Sequence, residues 1–155
     1  MHRYTATIDW QREGDDFRRG RYSRAHHWRF DGGIRVAASA SPLVVPLPFS
    51  SAQAIDPEEA LVVAAASCHM LSFLHVAARR GFVVERYEDE AEGLMEKIAG
   101  GRYAITRITL RPRILFAQDQ QPPTGEELSA LHHAAHEECY IANSIRAEVV
   151  VEATG

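Results

Sequence analysis

At 155 residues the chain is long enough to bury a core and is expected to form a single domain over 1–155. Its 46% hydrophobic and 25% charged content excludes the low-hydropathy profile of a disordered chain. A formal net charge of −4, with Lys and Arg scattered, excludes the basic face that nucleic acid or an anionic membrane surface requires as partner.

The opening MHRYTATIDW has no apolar signal-peptide core. Its alternation puts Tyr4, Ala6, Ile8 and Trp10 on one face of a predicted half-buried strand over 3–10. Residues 21–30 continue the pattern, placing Arg24, His26, Trp28 and Phe30 together. Asp31-Gly32-Gly33 signals a hairpin turn into a strand at 34–39, and the proline-bearing SPLVVPLPFSSAQ reads as an extended loop. Asp56 then caps a helix, with Pro57 in its first position and Glu59 closing a capping-box-like pair. The helix is expected to run to Arg80 and stop at Gly81.

Residues 83–96 carry conflicting signals, with Glu and Ala favouring helix and VVERY favouring strand. Residues 103–116 alternate as a strand that Pro112 keeps from a central position. A second helix over about 125–139 and a strand over 145–152 complete an α+β pattern.

ALVVAAASCHMLSFLHVAA contains two His, two Ser and a Cys, and is bracketed by acids and by Arg79-Arg80. That suits a buried core helix rather than a membrane span. With no export signal, the expected compartment is the cytosol, so the protein is read as cytoplasmic. There, two cysteines are more often free, catalytic or metal-bound than structural staples.

Cys68 falls mid-helix among Leu61, Ala64, Ala65, Leu71, Ser72 and His75. One reading is a small core hydrophobe; burial alone raises a thiol pKa, so reactivity requires a cation supplied from elsewhere in the fold. Cys139 ends the second helix in HEECYIANS and, if folding brings it within disulfide reach of Cys68, would supply a resolving thiol. Arg24, on an inward strand face, requires a partner, naturally a carboxylate. Glu58 sits in the first helical turn, where the helix dipole alone accounts for an acid. His132, His136 and Cys139 share one helical face, and His69 or Cys68 added to them would make a conceivable zinc set, but the spacing matches no closed structural-zinc pattern.

IDPEEALVVAAASCHM, followed by a second helix ending HEECYIANS, resembles the OsmC/Ohr family of hydroperoxide-reducing proteins, most of all its OsmC-like branch. The likeness runs from about Tyr22 to Val149. It rests on the Pro-Glu-Glu helix start, a Cys ten residues after Glu58, and a second Cys followed by an Asn-Ser pair. The resemblance implies an intertwined α+β homodimer with sites shared between subunits. It implies Cys68 as the peroxidatic cysteine, Cys139 as the resolving one, Arg24 as the thiolate-stabilising cation and Glu58 as the carboxylate that orients it. Many relatives carry a proline directly after the second cysteine, where Tyr140 stands here.

The implied activity is a cysteine-based peroxidase that reduces organic (alkyl or lipid) hydroperoxides at the expense of an external dithiol. It needs no cofactor and no metal. The rival reading is a non-enzymatic small-molecule-binding dimer of the same fold.

Overall fold

The computed structural model describes residues 1–14 and 16–152, which fall into two compact units, Met1–Ala60 and the chain from Leu61 onward. The first unit holds an antiparallel sheet of β1 (Ala6–Asp9), β2 (His26–Phe30) and β3 (Arg35–Ala38). The hairpin between β2 and β3 turns through Gly33 at φ +89°, a left-handed conformation that glycine adopts without a Cβ clash. Gly33 N–H donates to the Phe30 carbonyl at 3.0 Å to close it.

Two expectations for this unit are corrected. β1 is four residues long and every one is exposed, not a half-buried strand over 3–10. β2 begins only at His26, because a 3₁₀ turn at Phe17–Arg19 and the irregular segment after it occupy 17–25. Arg24 therefore precedes the strand instead of lying on its inward face.

Helix α1 spans Pro57–Arg79, with no glycine or further proline to interrupt it. Asp56 and Glu59 exchange side-chain-to-backbone hydrogen bonds at 2.8 and 3.2 Å, the expected reciprocal cap. At the other end Phe82 N–H reaches the Ala77 carbonyl and Gly81 N–H, at φ +84°, reaches that of Ala78. This pair of bonds is a Schellman stop. By length and hydropathy α1 could cross a bilayer. It buries Ala65, His69, Phe73, Val76 and Ala77, whose spacing of three and four makes one helical stripe.

In the second unit, the N-terminal part of that stripe packs Ala65 against Ile108, Leu110, Ala147 and Val149. Ile108, Leu110 and Val149 belong to a sheet ordered β5 (Glu92–Lys97), β6 (Tyr103–Leu110), β8 (Glu148–Val151), with β8 parallel to β6, and Ala147 directly precedes β8. The C-terminal part packs Phe73, Val76 and Ala77 against Leu131 and Ala135 of α2 (Gly125–Glu138), over the two-stranded sheet of β4 (Val84–Asp89) and β7 (Pro112–Phe116). The ambiguous stretch 83–96 is thus two strands.

A bulge between Val84 and Arg86 explains the mixed signal. It turns Glu85 and Arg86 both outward while Val84 and Tyr87 face in, breaking the two-residue alternation. The single strand expected over 103–116 is likewise two, parted at Arg111, with Pro112 opening β7 where a missing N–H is tolerated.

Candidate functional site

Cys68 lies on α1 between the two packing clusters, half-buried, one position before the wholly buried His69. Cys139, at 0% exposure, is the joint between α2 and the short helix α3 (Tyr140–Ser144). Its backbone N–H closes α2 on the His136 carbonyl, and its Sγ caps α3 by accepting the Ala142 N–H at 3.4 Å. Asn143 and Ser144 lock the joint, donating to the Glu137 and Tyr140 carbonyls. Tyr140 is the first residue of α3, a position that suits proline, yet the joint forms without one and the Tyr140 side chain is exposed.

The two thiols, 71 positions apart in sequence, are neighbours in the fold, close enough for the Cys68 sulfur to act on the ionisation of Cys139. Both cysteines are free. Burial pushes the Cys139 pKa above the ordinary thiol value, and the Cys68 sulfur pushes it the same way. The N–H groups of Ala142 and Ile141 oppose this without reversing it. Cys139 therefore keeps its proton at neutral pH.

Beside this pair the sequence reading missed a second buried arrangement. His69 Nε2 and His132 Nδ1 lie 3.0 Å apart, with the rings nearly parallel at 9°. Phe73 packs on the His132 ring at 4.5 Å. Desolvation lowers both imidazoles to about 4, helped for His69 by the charges His132 and His136 would carry. Whichever ring donates, the outer nitrogens, His69 Nδ1 and His132 Nε2, have no partner among the described residues. Eight histidines offered too many pairings for the sequence to single out this one; the usable signal was that both fall on the apolar stripes of their helices. Of the His132, His136 and Cys139 set, His132 goes to this imidazole pair and Cys139 to the thiol pair, and His136 belongs to neither. Among the described residues no group of three His, Cys, Asp or Glu is placed to hold a metal.

In the first unit, Glu58 is half-buried in the first turn of α1. Arg24 is half-buried too, but it does not find the expected carboxylate: among the described residues it forms no ion pair with Glu58 or any other acid. Its Nη1 donates to the carbonyls of Gly20 at 2.8 Å and Tyr22 at 2.5 Å, and its guanidinium lies 3.6 Å over the Tyr22 ring. The local turn supplies the acceptors that a carboxylate was expected to supply. Of the four residues singled out, Cys68 and Cys139 are brought together, whereas Arg24 and Glu58 are not paired.

Residues 50–154 match the family model described as OsmC-like protein. The whole chain is similar to an OsmC-like protein of unknown function from Vibrio cholerae. The two are 46% identical over 99% of this chain and 100% of that one, with a TM-score of 0.95. An organic hydroperoxide resistance protein from Legionella pneumophila shares the fold at 21% identity and a TM-score of 0.68, over 99% of this chain and 97% of that one. The organic hydroperoxide resistance protein OhrB of Bacillus subtilis does so at 22% and 0.65, over 97% and 98%. No curated protein matches the sequence.

Proposed function

This chain belongs to the OsmC-like family, and from that membership we propose that it is a cytoplasmic thiol peroxidase for organic hydroperoxides, cycling between Cys68 and Cys139. Relatives of the same fold are named organic hydroperoxide resistance proteins, which supports a role in peroxide defence. The observation that carries the reading is that a half-buried and a wholly buried free thiol are neighbours in the fold.

The chemistry balances without a cofactor. The Cys68 thiolate attacks the distal oxygen of ROOH, the O–O bond breaks, and ROH leaves with a proton, so that Cys68 becomes a sulfenic acid. The neighbouring Cys139 thiol displaces that hydroxyl as water and closes a disulfide. An external dithiol then reduces the disulfide by two exchange steps and is itself oxidised. The protonated state of Cys139 suits this order, because it does not compete as first nucleophile.

Arg24 is assigned the stabilisation of the Cys68 thiolate and Glu58 the orientation of Arg24, in a homodimer. Support for the dimer is the outward face of α1, where the apolar Val63 and Leu71 are 64% and 60% exposed. The test is hydroperoxide consumption coupled to dithiol oxidation: turnover with alkyl hydroperoxides supports the reading, and none with any dithiol rejects it.

A further inference from the structure

The apolar part of the contact between α1 and α2 is Phe73, Val76 and Ala77 against Leu131 and Ala135. Burial of this kind holds the helices together without direction, so a modest rotation of one of them costs it little. The meeting of the thiols depends on that rotation. His132 and Cys139 are seven positions apart on α2, which places them within about 20° of each other around its axis. Turning α2 by one residue step, about 100°, would carry both away from α1.

The imidazole pair fixes the angle. Among the described residues it is the only buried side-chain hydrogen bond between the two helices. Their other polar contact, Arg79 with Glu138 at 3.8 Å, is exposed and worth little. His69 directly follows Cys68 on α1, and Phe73 braces the His132 ring at 4.5 Å. A 3.0 Å bond between rings inclined by only 9° tolerates little rotation, because a hydrogen bond weakens steeply as its angle opens. No glycine or proline stands between His132 and Glu138, so α2 carries the angle set at His132 to its C-cap, Cys139. The pair gains little stability in return. His69 Nδ1 and His132 Nε2 are buried without partners among the described residues, a cost that two leucines would not incur. A buried polar contact with that cost selects one packing arrangement over its neighbours.

We propose that His69 and His132 are positioning residues for closure of the Cys68–Cys139 disulfide, holding α2 at the rotation that turns Cys139 toward Cys68. They act through the helix and not on the reacting atoms. The inference rests on the two-cysteine reading and deepens its resolving step.

Closure is measured without peroxide, on the reduced full-length protein treated with limiting dithiobis(nitrobenzoate). The Cys68 thiolate breaks the S–S bond of the reagent, releasing one coloured thiolate and leaving a mixed disulfide. Cys139 then attacks the Cys68 sulfur, gives up its proton and expels the second coloured thiolate as the protein disulfide forms. The first release reports Cys68 alone, and the second reports the pairing. His69→Leu combined with His132→Leu is expected to leave the first release unchanged and the denaturation midpoint at or above the parent's. The second release should slow on the order of tenfold or more, because small misplacements are costly in a reaction between held groups. His132→Asn, whose amide stands where Nδ1 stood and can still bond His69, should keep the parent's second rate. If the double variant lacks a cooperative unfolding transition, His132→Leu alone is compared with His132→Asn. A second release as fast in the leucine variants as in the parent overturns the proposal. So does His132→Asn as slow as His132→Leu, or no second release from the parent. Because no peroxide enters the measurement, a protein inert to hydroperoxides would reject the peroxidase reading and leave this result standing.

Discussion

The thiol of Cys139, wholly buried at the joint of α2 and α3, neighbours the half-buried thiol of Cys68 on α1. Two sulfurs so placed can divide the reaction between them. When Cys68 becomes a sulfenic acid, Cys139 is at hand to displace the hydroxyl. The short helix α3 holds the arrangement, since Cys139 is at once the end of one helix and the cap of the next.

Substitution should separate the two cysteines by role. Cys68→Ser is expected to reduce peroxidase turnover to background while the protein stays folded. Cys139→Ser should complete a single turnover and then accumulate Cys68 as sulfenic or sulfinic acid, visible as one or two added oxygens in intact mass. Sustained cycling of Cys139→Ser with dithiol would remove Cys139 from the resolving role.

The assignments of Arg24 and Glu58 make a different demand. Arg24→Ala should slow alkylation of Cys68 at neutral pH on the order of tenfold, because a nearby cation favours a thiolate. Glu58 and Cys68 are ten residues apart on α1, roughly 15 Å along its axis, so they do not meet within one helix. Mixed dimers of Cys68→Ser and Glu58→Ala should therefore regain activity. Subunit exchange verified by mass, with no activity regained, would rule out a site shared between subunits.

How much of this was legible in the sequence depended on whether the signal was local. The cap at Asp56, the stop at Gly81 and the helical identity of α1 and α2 are set by neighbours within a turn, and all three were readable. The bulge at Val84–Arg86 was not, because one extra residue inverts the alternation on which strand reading depends. Arg24 was misplaced for a related reason: alternation was carried back through 21–25, where the chain turns instead and offers its own carbonyls. Residue types and likeness to a family singled out the cysteines, but only the packing of α2 on α1 brings them together. The His69–His132 pair depends on that same packing, across 63 positions of sequence, and nothing local marks it.

The imidazole pair makes stability depend on pH. Both rings titrate near 4 in the folded protein, against the ordinary 6.5. The unfolded chain thus binds more protons between these values. Their contribution is complete above about 6.5 and is lost as the pH falls toward 4, by on the order of 3 kcal/mol for one ring. Thermal melting from pH 7.5 down to 4.5 should show Tm falling through this window. His132→Gln should flatten the fall, and an unchanged profile in that variant would place its origin elsewhere.

Gly93 on β5 offers a test of packing in the second unit. A Cβ there would come within 2.6 Å of Val62 Cγ2 on α1 and 3.3 Å of Ile105 Cδ1 on β6. Val62 is branched and short, so it cannot swing aside as a long side chain would. Gly93→Ala is expected to destabilise by about 1–3 kcal/mol, read as a lower denaturation midpoint with unchanged slope. A midpoint equal to the parent protein would mean that α1 and the sheet are free to part.

The proposed activity stands on one event, the joining of Cys68 to Cys139 by a peroxide. The fully reduced protein should be treated with one equivalent of an alkyl hydroperoxide, and its intact mass and disulfide-mapped peptides measured. The expected result is the loss of two hydrogens, with Cys68 and Cys139 in one linked peptide pair. An unchanged mass, or a single added oxygen that persists with both peptides unlinked, would contradict it.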